Sequence, residues 1–124
     1  MTVDFEIVDS TRRLEEVINL VRQADAVAID TEFARFNTYY PIVGLIQIYD
    51  GSQCYLIDPL AVIELGPIVD LLEDEAVTKV FHACSEDLEV FHHVLEALPS
   101  PLFDSQVAAA ALGISFSIGY QKLV

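Results

Sequence analysis

Apolar residues along this chain recur in two rhythms, short strand-like runs and longer stretches with helical spacing. Phe5 to Val8 reads as a first short strand. Ser10 or Thr11 then caps a helix whose apolar positions, Leu14, Val17, Ile18 and Val21, fall on one face. Ala26 to Phe33 is β-rich, and Gly44 to Tyr49 follows. Asp50-Gly51 is a hairpin turn signal before Gln53 to Ile57, so these three runs predict an antiparallel meander. Asp58-Pro59 breaks the last strand and opens a helical segment over roughly Leu60 to Leu72, with Gly66-Pro67 starting a second helix. Val77 to His82 is a further strand. Ser85 can cap a helix to about Leu98, with Leu88, Phe91, Val94 and Leu95 facing inward and Glu89, His92, His93 and Glu96 outward. Pro99-Ser100-Pro101 stops it, and Leu102-Phe103 is a short strand. Asp104 opens an alanine-rich helix that Gly113 ends, and Gly119 to Val124 begins another. A meander followed by helix–strand–helix–strand–helix gives an α/β domain, a mixed sheet with helices on its faces.

Composition narrows this reading. The 124 residues are enough for one domain with its own core, and 53% are hydrophobic. The start, Met1 to Glu6, lacks a basic segment leading into an apolar one, and no run approaches the ~20 apolar residues of a membrane span. Cys54 and Cys84 form no CxxC pair and read as two buried thiols in a reducing cytosol. A cytoplasmic protein away from membranes is the expectation; its oligomeric state is not written in the sequence. Charge pulls against a nucleic-acid partner: six basic residues against twenty acidic ones give a net charge of −14. Proteins that hold phosphates usually cluster their Lys and Arg. Here Arg12, Arg13, Arg22, Arg35, Lys79 and Lys122 are scattered.

The acids repay closer reading. Acidic residues two apart occur at Asp4/Glu6, Asp30/Glu32, Glu73/Glu75 and Asp87/Glu89. On a strand such a pair leaves the same face, with Cα atoms ~6.5–7 Å apart. Only Asp30/Glu32 interrupts a strongly apolar strand, where carboxylates are costly unless a cation or hydrogen bonds compensate. The pair reads either as a metal platform or as a solvated strand edge. Asp87, in the first turn of its helix, either complements the helix dipole or aims a carboxylate across the strand ends. Asp104 reads as an N-cap or as a fourth acid. His92 and His93 read as exposed helix residues, and His82 as a hydrogen-bonded structural histidine. The chain has no HExxH, no Gly-rich phosphate loop and no nucleophile-elbow pattern.

Taken in order, these segments resemble a known family. Asp30-Thr31-Glu32-Phe33, Thr38-Tyr39-Tyr40-Pro41 and Gly44-Leu45-Ile46-Gln47-Ile48 are similar to the first exonuclease motif of the ribonuclease D family and its flanks. Leu56-Ile57-Asp58-Pro59-Leu60 resembles the segment that follows. His82-Ala83 and Ser85 to Phe91 resemble the second motif, with Asp87 as its acid; Phe103 to Gln106 and Gly119-Tyr120 also have counterparts. The resemblance implies a ribonuclease H-like 3′→5′ exonuclease fold and two Mg²⁺ or Mn²⁺ ions. It also implies hydrolysis of phosphodiester bonds at RNA 3′ ends, single-stranded tails such as those of tRNA precursors. By the same resemblance Asp30 bridges both ions, Glu32 helps hold the metal that activates water, and Asp87 supports the second through its hydration shell. Phe33, Tyr39, Tyr40 and His82 become candidate substrate contacts, the aromatics as stacking surfaces for terminal bases.

One departure matters. The family's third motif, a Tyr or His shortly before a last Asp, is absent from the 124 residues. Residues 1–124 are therefore expected to be a partial 3′→5′ exonuclease domain, C-terminally truncated, which cleaves RNA slowly or not at all in isolation. A second reading stays open: an exonuclease-derived module that binds nucleic acid or protein without cleaving.

Overall fold

The computed structural model describes residues 4–34, 42–62 and 64–113; within these, the side chains of Phe33, Ala34, Ile42 and Val43 are not described. Six strands form one sheet: β1 (Phe5–Val8), β2 (Ala26–Ala34), β3 (Ile42–Tyr49), β4 (Cys54–Ile57), β5 (Thr78–Phe81) and β6 (Leu102–Asp104), in the order β1-β4-β3-β2-β5-β6. The four helices are α1 (Thr11–Val21), α2 (Gly66–Glu73), α3 (Ser85–Leu95) and α4 (Ser105–Ala111). β2, β3 and β4 form the antiparallel meander that the pattern predicts, while β1 joins β4, β5 joins β2 and β6 joins β5 in parallel. The mixed sheet expected from the sequence is thus present.

Period-two alternation divides the sheet cleanly. Val8, Ile57, Ile48, Ile46, Val27, Ile29, Val77 and Phe81 are buried on one face, in a single core with the apolar stripes of α1, α2 and α3. Leu14, Val17, Ile18 and Val21 carry α1 onto it, and Phe81 meets Phe91 of α3 edge to face at 6.0 Å. The opposite face, which we call the open face, is the more exposed one among the described residues. The registers Ile7↔Leu56, Leu56↔Gln47 and Gln47↔Asp30 put these side chains on that side, together with Phe5, Tyr49, Ala28 and Phe103. Phe5 is 60% exposed and Ile7 61%. Helices α1, α2 and α3 share the core on the first face, and the helix-flanked mixed sheet expected from the sequence is borne out.

Other departures have local causes. Asp58-Pro59 leads into turns, in which the amides of Ala61 and Val62 return to the Asp58 carbonyl; the helix begins only at Gly66, with Pro67 in its first turn. α3 stops at Leu95 rather than Leu98, because Glu96 takes a left-handed conformation (φ 52°) and the Ala97 amide turns back to the Phe91 carbonyl. Its inward face is also rotated from the one expected. Asp87, Val90 and Phe91 are buried, Leu88 and Leu95 only partly, and Val94 is exposed. Ser10, not Thr11, caps α1, accepting from the Arg13 amide, and Cys84 rather than Ser85 occupies the N-cap of α3, without a side-chain bond. Lys79, one of the scattered basic residues, is fully buried between Val77 and Phe81. Its ammonium donates to the carbonyls of Asp74 (2.6 Å) and Ser100 (2.8 Å), tying the C-terminus of α2 to the loop before β6. Both cysteines are buried free thiols, as expected. Among the described residues no helix is long and apolar enough to cross a membrane.

Candidate active site

β2 runs past its parallel partner. Its ladder with β5 covers only Ala26–Ala28, because β5 ends at Phe81 and the chain turns through Ala83 into α3. The free stretch carries Asp30-Thr31-Glu32. Asp30 and Glu32 leave the open face and are exposed, whereas Thr31 points into the core side and is 5% exposed. A register shift lies directly after Glu32, where Glu32 pairs with Leu45 but Phe33 pairs with Val43 and Gly44 is passed over. Such bulges re-aim side chains at the end of a ladder.

Asp87, in the first turn of α3, closes this stretch from the side. It is 5% exposed, and its Oδ1 accepts from the Thr31 amide at 3.2 Å and from the Thr31 hydroxyl. The carboxylate thereby takes the place of the missing strand neighbour. Burial pushes the Asp87 carboxyl up to about 6. The Thr31 hydrogen bonds pull it back in part, and the negative charge of Asp30 adds to the rise. Asp30, Glu32 and Asp87 are therefore brought to one strand end: two carboxylates solvated on the open face, a third buried beside them. Among the described residues no three His, Cys, Asp or Glu side chains converge as a ready-made metal cage. The donor set is nonetheless the hard, all-oxygen kind that suits Mg²⁺ or Mn²⁺.

Asp104 has a different job. It is the N-cap of α4, with Oδ1 accepting from the amides of Gln106 (2.8 Å) and Val107 (3.3 Å). It also accepts from the amides of Ala83 (3.0 Å) and Cys84 (2.7 Å) at the head of α3. Burial opposes its ionisation, but these donors and the Cys84 thiol overrule it and bring the carboxyl down to about 2. The Cys84 thiol is pushed up to about 12, first by burial and then by its bond to Asp104. Of the two readings of Asp104, the structure favours the cap. The same carboxylate steadies Ala83, a non-glycine residue at φ 56°. His82 is half-buried with Nδ1 2.7 Å from the Ser105 hydroxyl, which itself donates to the Phe81 carbonyl at 3.2 Å. That arrangement matches the structural histidine expected. His92 and His93 are exposed and lie edge to face. Tyr39 and Tyr40 lie outside the described residues, as do Thr38, Pro41 and the segment Gly119 to Val124; of Phe33 only the backbone is described.

The residue that sequence reasoning missed is Thr31. It sits between the two acids of the motif, and strand alternation alone sends it to the opposite face, the side from which Asp87 is held. A small cavity of about 90 Å³, lined by Ala28, Ile29, Asp30, Gln47 and Tyr49, adjoins the acidic pair. A larger cleft between α1 and α2, about 420 Å³ and lined in part by Glu15, Arg22, Glu64 and Asp70, includes none of these acids. Described cations offer phosphate little. Arg13 pairs with Glu6 and Glu16, Arg22 with Asp74, and Arg12 loosely with Glu16, while Lys79 is buried.

A profile of 3′-5′ exonucleases matches residues 5–124. The chain belongs to the 3′-5′ exonuclease family. It is 58% identical over 98 residues to the ribonuclease D of Pseudomonas paraeruginosa, covering 79% of this chain and 26% of that protein. It is 49% identical over 119 residues to the ribonuclease D of Haemophilus influenzae, covering 96% of this chain and 30% of that protein. Among solved structures, that of Escherichia coli RNase D, described as an exoribonuclease involved in structured RNA processing, superposes with a TM-score of 0.94. The two are 42% identical, over 98% of this chain and 32% of that one. Trypanosoma brucei RNase D in complex with RNA U12 shares the fold, with a TM-score of 0.75 at 23% identity over 86% of this chain and 39% of that one. The chain thus spans about a third of the length of these ribonucleases D. The ribonuclease D resemblance read from the motifs is borne out, and with it the α/β exonuclease fold.

Proposed function

We propose that this chain carries part of the active site of a metal-dependent 3′→5′ exoribonuclease of the ribonuclease D kind, acting in the cytoplasm on single-stranded RNA 3′ ends such as those of tRNA precursors. The observation that carries this reading is the strand end where Asp30 and Glu32 reach the open face while Thr31 draws Asp87 alongside. Acids from two motifs 55 residues apart in sequence thereby meet at one place, on a fold shared with ribonucleases D. Asp30 and Glu32 would hold divalent cations directly, and Asp87 would act through a water held on its second oxygen. Two such ions, Mg²⁺ or Mn²⁺, supply a lowered pKa for the attacking water and charge neutralisation at the scissile phosphate. The same acids account for part of the negative charge that seemed to argue against RNA: they are suited to cations, and the cations to phosphate.

Three acids make a partial set, so residues 1–124 by themselves trim slowly or not at all. The test is a 5′-labelled single-stranded RNA incubated with Mn²⁺, with wild type and Asp30→Ala side by side. The expected result is at most a slow ladder shortening from the 3′ end by single nucleotides, absent in Asp30→Ala and in EDTA. Internal cuts, or trimming that survives EDTA, would overturn the activity. Fast trimming by these residues alone would overturn the view that three acids are too few.

A further inference from the structure

Thr31 is placed between two acids of the proposed site, yet its side chain leaves β2 on the other face. Both its donors, the amide and the hydroxyl, end on one oxygen, Asp87 Oδ1. A carboxylate oxygen offers two lone-pair directions, so Oδ1 is filled. Among the described residues no donor reaches Oδ2. Thr31 and Asp87 are each 5% exposed, so water competes poorly for these bonds. A carboxylate held in this way cannot embrace a cation with both oxygens. It remains a one-oxygen acceptor, suited to a single direct bond or to a water on a cation. Mg²⁺ and Mn²⁺ accept such partners, whereas Ca²⁺, larger and more flexible in coordination, profits from bidentate carboxylates.

We propose that Thr31 is a positioning residue whose two donors fix Asp87 as a one-oxygen acceptor beside Asp30, biasing the acidic site toward small, water-retaining divalent cations over Ca²⁺. This rests on the reading that Asp30, Glu32 and Asp87 hold cations, and the experiment separates the two. Mn²⁺ affinity is measured by the electron paramagnetic resonance of free Mn²⁺, and Ca²⁺ affinity by competition, on wild type, Thr31→Val, Thr31→Ser and Asp30→Asn. Melting in EDTA reports whether each variant is folded. Thr31→Val keeps the shape and the amide but loses the hydroxyl. It should weaken Mn²⁺ about tenfold, the scale of one hydrogen bond to a charged group, and weaken Ca²⁺ less, so that the preference for Mn²⁺ falls. Thr31→Ser should restore it. Should Thr31→Val fail to fold, Thr31→Cys provides the same comparison with a poorer donor in place of the hydroxyl. An unchanged Mn²⁺-to-Ca²⁺ ratio in a folded Thr31→Val or Thr31→Cys protein, or an equal loss in Thr31→Ser, overturns the positioning role. If Asp30→Asn leaves Mn²⁺ affinity untouched, the failure lies with the cation reading instead.

Discussion

Asp87→Asn should make the protein more stable, and only at the pH values where the wild-type carboxyl is pressed to ionise. The unfolded chain ionises Asp87 near the ordinary aspartate value of 3.8, whereas burial in the folded state raises it to about 6. Below the unfolded value both states are protonated and the group is neutral in both. As pH rises the unfolded state sheds its proton first, so stability falls until the folded carboxyl has also ionised. A rise of about two units corresponds to about 3 kcal/mol lost between roughly pH 4 and pH 7. Asparagine keeps an acceptor for the Thr31 amide and hydroxyl but has no charge to desolvate. In EDTA, urea unfolding followed by circular dichroism should show Asp87→Asn more stable than wild type by about 2–3 kcal/mol at pH 8, with the difference closing near pH 3.5. Added Mg²⁺ should narrow the gap at pH 8 by stabilising the wild type alone. A variant that is less stable at pH 8, or a difference that does not change with pH, would refute the claim that a buried, electrostatically costly carboxylate sits against Thr31.

Three further perturbations probe the scaffold around the site. Asp104→Ala removes the cap of α4 and the acceptor of the Ala83 and Cys84 amides together, and urea unfolding should register a loss of about 2–4 kcal/mol. Ala83→Gly relieves a left-handed backbone and should raise stability by about 0.5–1 kcal/mol in the same assay. Lys79→Met removes the ammonium that joins the carbonyls of Asp74, which keeps the Val77 amide, and Ser100; a loss of about 1–2 kcal/mol is expected, read as a lowered urea midpoint at unchanged slope.

The legible parts of this fold are those set by local rules. Alternation and the Asp50-Gly51 turn gave β2, β3 and β4 with their antiparallel order, and Asp104 was visible as a cap because side-chain oxygens seek free amides at a helix start. What escaped depended on partners distant in sequence. The phase of α3 differed from the apolar pattern because Asp87 turns inward to an amide left over where β5 ends. Lys79 was counted only among the scattered cations although Val77 and Phe81 on either side of it mark the core face, and the two carbonyls that make its burial tolerable come from separate segments. Within the site, the acids were legible as residue types, but Thr31 was not. Its importance lies in a hydrogen bond to a residue 56 positions away.

If Asp30, Glu32 and Asp87 hold divalent cations at one site, as proposed, paramagnetic broadening by substoichiometric Mn²⁺ in an amide-resolved NMR spectrum will locate it. The expected result is early loss of the signals of Asp30, Thr31, Glu32 and Asp87, abolished by Asp30→Asn. Broadening centred on another acidic region, such as Glu15, Glu64 and Asp70, or broadening at β2 indifferent to Asp30→Asn, would contradict the account.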